Sequence, residues 1–132
     1  MSYLLPDIVA FWVAKGLVTA SGTDIFMDIL PDSPDNCVAV REYAGEVSFI
    51  NNTANRSIQI TVRNTSYITC RTKIIALYNS VYAPESDVRI IDFTASRWGI
   101  VTPRQYPFSL NKDDRKRFIF VFNMGIVTVG DS

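Results

Sequence analysis

The sequence contains no histidine and only two cysteines among its 132 residues. Without histidine, the chain lacks the usual Ser-His-Asp and Cys-His nucleophiles. Cys37 and Cys70 match no metal-binding spacing, so we predict no metal site. Both fall at apolar positions of predicted elements, which favours buried, reduced thiols. The spacing alone leaves a disulfide between them open.

The sequence also lacks net charge and long apolar runs. Its 13 basic and 13 acidic residues give a formal net charge of zero. This removes one argument for broad binding to nucleic acid or to an anionic membrane, although a local patch stays open. No apolar run approaches the roughly 20 residues of a membrane span, and no basic signal-peptide region opens the chain. We therefore predict synthesis and use in a cytoplasm, without a membrane partner.

Glycine-rich phosphate-binding motifs are missing as well. The carboxylate pairs Asp32/Asp35 and Asp113/Asp114 lie among polar residues in predicted loops, which favours solvated turns over a glycosidase-type pair. A calcium site across Asp24 to Asp35 would lack the EF-hand spacing and its glycine. We therefore predict that the protein is not an enzyme and needs no cofactor.

The clearest pattern that is present is a strand followed by a helix. Apolar and polar residues alternate from Ile58 to Val62, which predicts a strand with one buried face and one wetter face that includes Arg63. The polar residues from Asn64 to Ser66 suit the start of a helix. Apolar residues then recur every three or four positions, which predicts a helix packed on a sheet: Tyr67, Cys70, Ile74, Leu77, Tyr78 and Val81.

The same patterns predict the remaining elements. An amphipathic helix spans residues 3–15 with the apolar stripe Leu5, Ile8, Val9, Trp12 and Val13. Further strands are predicted at residues 25–30, 37–43, 88–93 and 117–124. The first two strands should form a hairpin around Pro31–Asn36. Residues 95–114, with two prolines, should be irregular or a broken strand, long enough to be an arm or a functional loop. The fold class is therefore one α+β domain over residues 1–132, a mixed or antiparallel sheet of about five strands with two flanking helices.

Two stretches, IFMDILPDSPDNCVAVREYAG and RSIQITVRNTSYITCRTKIIALYNSV, resemble the small minor capsid and tail-completion proteins of long-tailed bacteriophages. The first stretch has the proline-rich P-D-x-P-D-x-C/A loop that precedes a strand in those proteins. The second resembles their strand and following helix. Chain length, the opening helix and the late aromatic strand also fit, so the resemblance covers the greater part of the chain.

The resemblance implies a tail-terminator-like fold and a homo-oligomer, commonly a six-fold ring. Such a ring caps the tail tube and offers its other face to the head-completion (stopper) protein, so these two proteins are the implied partners. DNA passes through the central channel without sequence-specific binding. The implied location is the head–tail connector of the virion, after assembly in the cytoplasm of the bacterial host.

Loops and the arm supply the candidate residues for subunit contacts or for the lumen of the channel. Acidic loop residues that face a lumen would repel passing DNA. Aromatic residues beside arginines in the arm have the composition of an interface core. The candidates are Asp32, Asp35, Asn51, Asn52, Trp98, Arg104, Tyr106, Phe108, Lys112 and Arg115.

Two other functions stay open at this point. One is a different neck protein, either a head-completion (stopper) or an adaptor ring protein, which tends to be a small β-barrel or a helical bundle respectively. The other is a non-viral small binding module, for example in a toxin–antitoxin system, which would be a monomer or a dimer. The two helices around three strands fit the neck alternatives poorly, and the solution mass would test the binding module.

Overall fold

The computed structural model describes residues 4–46, 53–82, 89–92 and 98–129, which form one six-stranded sheet with two helices on one face. The strand order is β1-β2-β3-β6-β5-β4. No helix in these ranges is long and apolar enough to span a membrane. The predicted α+β class is confirmed, with six strands rather than about five. The elements are α1 (Leu5–Ala14), β1 (Ile25–Met27), β2 (Cys37–Glu46), β3 (Thr53–Asn64), α2 (Tyr67–Val81), β4 (Arg89–Asp92), β5 (Trp98–Lys112) and β6 (Phe118–Val129).

Helix α1 forms where its composition predicts it. Pro6 lies in the first turn, where a missing backbone N–H costs nothing, and Asp7 complements the positive end of the helix dipole. Gly16 follows the helix with a φ of 74°, a left-handed conformation that favours glycine. The predicted stripe is buried except at Val13, which is 38% exposed because it lies outside the face that meets the sheet.

Helix α2 begins at the predicted cap and packs on the middle of the sheet. The Ser66 side chain accepts a hydrogen bond from the Thr69 backbone N–H at 3.3 Å. Tyr67 is 43% exposed, yet its ring lies 5.4 Å from the Phe118 ring. The rest of the predicted stripe is buried: Cys70, Ile74, Leu77, Tyr78 and Val81.

Strands β3 and β6 form the centre of the sheet. They pair antiparallel without interruption from Thr53 opposite Val129 to Asn64 opposite Phe118. Ile60 lies opposite Phe122, and both side chains are fully buried beneath the helices. Strand β6 lies between β3 and β5 and contains the continuous apolar run from Phe118 to Phe122, so the strand predicted at residues 117–124 is confirmed. The apolar run suggested a strand covered on both faces, but the helices cover only one face of the sheet.

The cysteines are free thiols and both are buried, as predicted. The Cys70 thiol donates a hydrogen bond to the Val62 carbonyl at 3.2 Å. Burial raises the pKa of Cys70 to about 11, and it raises the pKa of Cys37 as well.

The predicted hairpin between residues 25–30 and 37–43 is wrong. Strand β1 pairs parallel with β2, with Ile25 opposite Val38 and Met27 opposite Val40. Two parallel neighbours require the connection to run back to the start of the first strand. Since β1 is only 3 residues long, residues 28–36 are long enough to do so. Asp28, with a φ of 72°, turns the backbone away directly after β1.

The stretch predicted to be irregular or an arm is mostly strand β5, a correction to that prediction. Strand β5 pairs with β6, but the pairing register shifts between Pro103 and Gln105, between Gln105 and Phe108, and again before Lys112. Strand β4 pairs only with the start of β5, up to Val101. The two prolines therefore lie near register shifts, in the part of β5 that does not pair with β4. Strands tolerate proline at such bulges and at unpaired edges.

Candidate assembly surfaces

The proline-rich loop between β1 and β2, residues 31–36, is held against the sheet by Arg63 of β3. The Arg63 Nε donates to the Asp35 carbonyl at 3.1 Å, and Nη2 donates to the Pro34 carbonyl at 2.7 Å. Alternation places Arg63 on the face away from the helices, where we predicted a wet side chain. It is only 3% exposed because loop 31–36 covers it, so that prediction is wrong.

A second buried arginine, Arg117, holds the same loop from the other side. Its Nη1 donates to the Asp32 carbonyl at 2.6 Å and to Asp35 Oδ1 at 3.2 Å. Arg117 is 4% exposed. It forms ion pairs with carboxylates of its own chain, with Asp35 at 3.2 Å and with Asp113 at 2.8 Å.

Asp113 fixes the tight turn between β5 and β6, residues 113–117. Its Oδ1 accepts from the backbone N–H groups of Arg115 and Arg117, each at 3.0 Å, and its Oδ2 accepts from Arg117 Nε at 2.8 Å. These bonds, the Arg117 backbone N–H above all, lower the pKa of Asp113 from its ordinary value of 3.8. The predicted solvated turn is therefore wrong for Asp113, whose side chain is 21% exposed, while Asp114 is exposed.

Loop 31–36 and turn 113–117 meet at one end of the sheet, and we call the pair the clamped block. A cleft of about 450 Å³ lies between them, with Leu30 and Ile119 among its lining residues. Asp32 is 84% exposed and Arg115 is 61% exposed, with 3.9 Å between Asp32 Oδ2 and Arg115 Nη2. In the part of the chain described, no three His, Cys, Asp or Glu side chains are grouped to hold a metal ion.

The sheet face opposite the helices, the open face, carries exposed apolar side chains of β5. Leu110 is 54% exposed and Phe108 is 38% exposed. A cleft of about 300 Å³ lies beside Leu110, with Ala39 and Val121 also in its lining. Since apolar side chains there lie next to Gln59 and Thr61, the open face has the mixed character of a protein contact surface rather than of a core.

Tyr106 lies against its own helix rather than on an extended arm. Its ring is 61% exposed, but its centroid is 5.1 Å from the Tyr78 ring of α2 in an edge contact. Tyr78 also stacks on Tyr82 at 5.1 Å and is only 7% exposed. The aromatic residues here form a partly exposed cluster at the junction of α2 and β5.

The other candidates of β5 are spread along the strand. The Arg104 guanidinium lies over Gly125, where an added Cβ would come within 2.7 Å of Arg104 Nε. The Lys112 Nζ lies 5.0 Å from the centroid of the Phe118 ring, and Trp98 is half-buried at the start of the strand.

The structure brings three candidates together, Asp32, Asp35 and Arg115 in the clamped block. Asn51 and Asn52 lie outside the described residues. Sequence reasoning missed the roles of Arg63 and Arg117, and it missed exposed Leu110. The sequence did contain one indication for Arg117, because it lies four residues after Asp113 across a predicted loop, a spacing at which the two side chains can form an ion pair.

Comparisons with known proteins agree with this fold. Residues 13–129 match the sequence model of the family described as bacteriophage tail terminator protein. The chain is also similar in fold to a solved chain from the virion of a native gene transfer agent particle, with a TM-score of 0.52 and 15% identity over 95% of this chain and 91% of that one. No curated protein sequence matches it. The chain therefore belongs to the bacteriophage tail terminator family, a family of structural tail-completion proteins of the virion.

Proposed function

We propose that this protein forms a homo-oligomeric ring, six-fold in symmetry, that caps the tail tube and joins it to the head-completion protein. The observation that carries the proposal is the family match across residues 13–129. The tail tube protein and the stopper are then its two partners. Assembly takes place in the cytoplasm of the bacterial host, and the ring ends in the head–tail connector.

Three features of the chain support self-association. The formal net charge is zero, so copies do not repel one another through overall charge. The open face carries the exposed apolar side chains Phe108 and Leu110. Among the described strands, β4 pairs with β5 only up to Val101, so the remainder of that sheet edge has no described strand beside it. Different surfaces that meet head to tail generate closed rings when the rotation between copies closes.

DNA passes through the ring without sequence-specific contacts in this proposal, and loop 31–36 faces the lumen. The carboxylates of Asp32 and Asp35 are 84% and 59% exposed, and a ring of them would repel the phosphate backbone. The variant Asp32→Lys with Asp35→Lys should slow DNA ejection from assembled virions. Unchanged ejection would count against this orientation of the loop.

The capping role is tested with tail tubes assembled in the absence of this protein. The purified, labelled protein should bind at one end of each tube and form a ring visible by negative-stain electron microscopy. Its solution mass, measured in parallel, shows whether the ring forms before or only upon contact with the tube. Binding along the tube wall, or no binding at all, would contradict the capping role.

Side chains of β5 are the proposed contacts between subunits. Tyr106→Ala and Phe108→Ala remove exposed aromatic surface, so rings and completed virions should form less efficiently. Ile68→Ala is a suitable control, since Ile68 is an apolar residue that is 69% exposed but belongs to α2 rather than to β5. Normal ring and virion assembly by both aromatic variants would contradict the proposal that β5 side chains form the contact between subunits.

A further inference from the structure

A row of polar side chains crosses the middle of the open face, from β2 to β5. Arg41 lies opposite Gln59 in the strand register. Asn123 lies opposite Gln59 on one side and opposite Gln105 on the other. Arg41 Nη2 donates to Gln59 Oε1 at 3.1 Å, and Asn123 Nδ2 donates to Gln105 Oε1. The row is therefore joined by its own hydrogen bonds, and Arg41 is its cation.

A second cation, Arg104, lies beside this row. Its guanidinium occupies the space over Gly125, where an added Cβ would come within 2.9 Å of Arg104 Nη2. Met124 and Ile126 on either side of Gly125 are buried in the core beneath the helices. Since neighbouring residues of a strand point to opposite faces, the Arg104 guanidinium lies on the open face. Glycine at position 125 is what leaves room for it there.

The middle of the open face is therefore cationic, in a chain with no net charge. Arg41 and Arg104 are both exposed. In the part of the chain that the structure describes, neither guanidinium forms an ion pair with a carboxylate. Asp28, the acidic residue in the lining of the cleft on this face, follows β1 at the border of the sheet. Two guanidinium groups free to bind an anion are what recognition of carboxylate or phosphate requires.

We propose that Arg41 and Arg104 contact the phosphate backbone of duplex DNA in the lumen of the ring. The proposal rests on the proposed function, from which it takes the orientation of loop 31–36 toward the lumen. That loop covers Arg63 on the open face, and Gln59 of the polar row lies on the same face, four residues away along β3. Four residues of a strand measure about 13 Å, so the loop and the row face the same channel.

The unpaired charges favour DNA over a neighbouring subunit as the occupant. A protein that covered this part of the face would have to supply a carboxylate to each arginine, because a buried, unpaired charge is costly. Duplex DNA presents phosphates along its whole length, and contacts to them carry no sequence information. The exposed apolar side chains Phe108 and Leu110 belong instead to β5, at the border of the face, where the proposed function puts the next subunit.

The double variant Arg41→Gln with Arg104→Gln tests the contact. Glutamine keeps a polar side chain at two exposed positions, so the variant should fold with the wild-type melting temperature and should cap tail tubes normally. Arg71→Gln with Lys15→Gln is the matched control, because it removes two exposed positive charges from α2 and from the end of α1. The measurement is the binding of a labelled duplex of about 30 base pairs to capped tubes, with uncapped tubes as the blank, at about 50 and about 200 mM salt.

The wild-type cap should bind the duplex, and its affinity should fall as the salt concentration rises. The double variant should bind about tenfold more weakly or worse at the lower salt concentration, with a smaller dependence on salt. The control should bind as the wild type does. If the double variant does not fold, Arg104→Gln alone decides the matter, with a smaller loss of affinity expected, because the Arg104 side chain forms no hydrogen bond with the polar row.

Wild-type affinity of the folded variant for DNA would overturn the proposal. The absence of salt-dependent DNA binding by tubes capped with the wild type would overturn it as well. Loss of capping by the folded double variant, with normal capping by the control, would show that the arginines contact protein and not DNA. A wild type that does not cap tubes would contradict the proposed function instead.

Discussion

Asp113 and Arg117 contact each other through both backbone and side chain. The Arg117 backbone N–H donates to Asp113 Oδ1 at 3.0 Å, and Arg117 Nε donates to Asp113 Oδ2 at 2.8 Å. The Asp113 N–H in turn donates to the Arg117 carbonyl at 2.9 Å. The carboxylate thus closes the β5–β6 turn and orients the guanidinium that reaches loop 31–36.

The contact predicts a pH dependence of stability. The pKa of Asp113 is lowered in the folded state, mainly by the hydrogen bond from the Arg117 backbone N–H. The ionised Asp113 therefore adds to the free energy of unfolding in full above the ordinary pKa of 3.8, and this stabilisation is lost as the pH falls through the folded pKa. Asp113→Asn should therefore lower the free energy of unfolding at pH 7, and the deficit should shrink below about pH 4. Urea unfolding of both proteins at pH 7 and pH 3 measures this. A deficit that is the same at both values would contradict the prediction.

The two thiols should be unreactive while the protein is folded. With its pKa raised to about 11 by burial, Cys70 would have roughly one thiolate per thousand molecules at pH 8, and Cys37 is buried as well. Alkylation by iodoacetamide at pH 8, followed by mass spectrometry, should be slow in buffer. It should be rapid in about 8 M urea, which unfolds the protein and exposes both thiols. Rapid labelling of Cys70 in buffer would show that its site opens readily.

Lys116 has a φ of 61°, which a residue with a Cβ adopts at a cost of about 1–2 kcal/mol. Lys116→Gly should therefore stabilise the protein by about 0.5–1 kcal/mol, after the greater freedom of glycine in the unfolded chain is subtracted. Arg115→Gly, in the same turn but without a positive φ, should give no such gain. Thermal unfolding compares the two variants, and destabilisation by Lys116→Gly would contradict the strained turn.

The two helices are linked by the hydrogen bond from Trp12 Nε1 to Ser80 Oγ, at 2.7 Å. Trp12 is fully buried, so Ser80→Ala would leave its indole N–H without this partner. We expect a loss of about 1–2 kcal/mol in the free energy of unfolding. Asn79→Ala, the exposed neighbour on the same helix, should change it by less than about 0.5 kcal/mol. Equal effects from the two substitutions in urea unfolding would argue against the link.

Regular repeats of apolar residues carried the predictions of α1, α2 and β3, and a continuous apolar run carried the prediction of β6. The same information says nothing about strand direction, so the parallel pairing of Ile25 with Val38 was predicted as a hairpin. Pro103 and Pro107 made β5 look irregular, although bulges and partial coverage allow both residues within a strand.

The clamped block was harder to predict for a physical reason. Alternation placed Arg63 correctly on the face of β3 away from the helices, but it cannot reveal that a loop from elsewhere covers that face. Arg117 and Asp32 are 85 positions apart in sequence, so their contact depends on the complete sheet. The exposure of Asp32 follows from its loop, whereas the fixed position of that loop follows only from the three-dimensional contacts.

The central place of β6 has a consequence for folding kinetics. Its pairing partners in β3 are at least 54 positions away in sequence, the separation of Asn64 and Phe118. Such distant pairing gives a high contact order, which slows folding. Until β6 is inserted between β3 and β5, its run of aromatic and aliphatic residues stays exposed and prone to aggregation. Correct folding therefore requires the sheet to close around β6 before β6 associates with another unfolded chain.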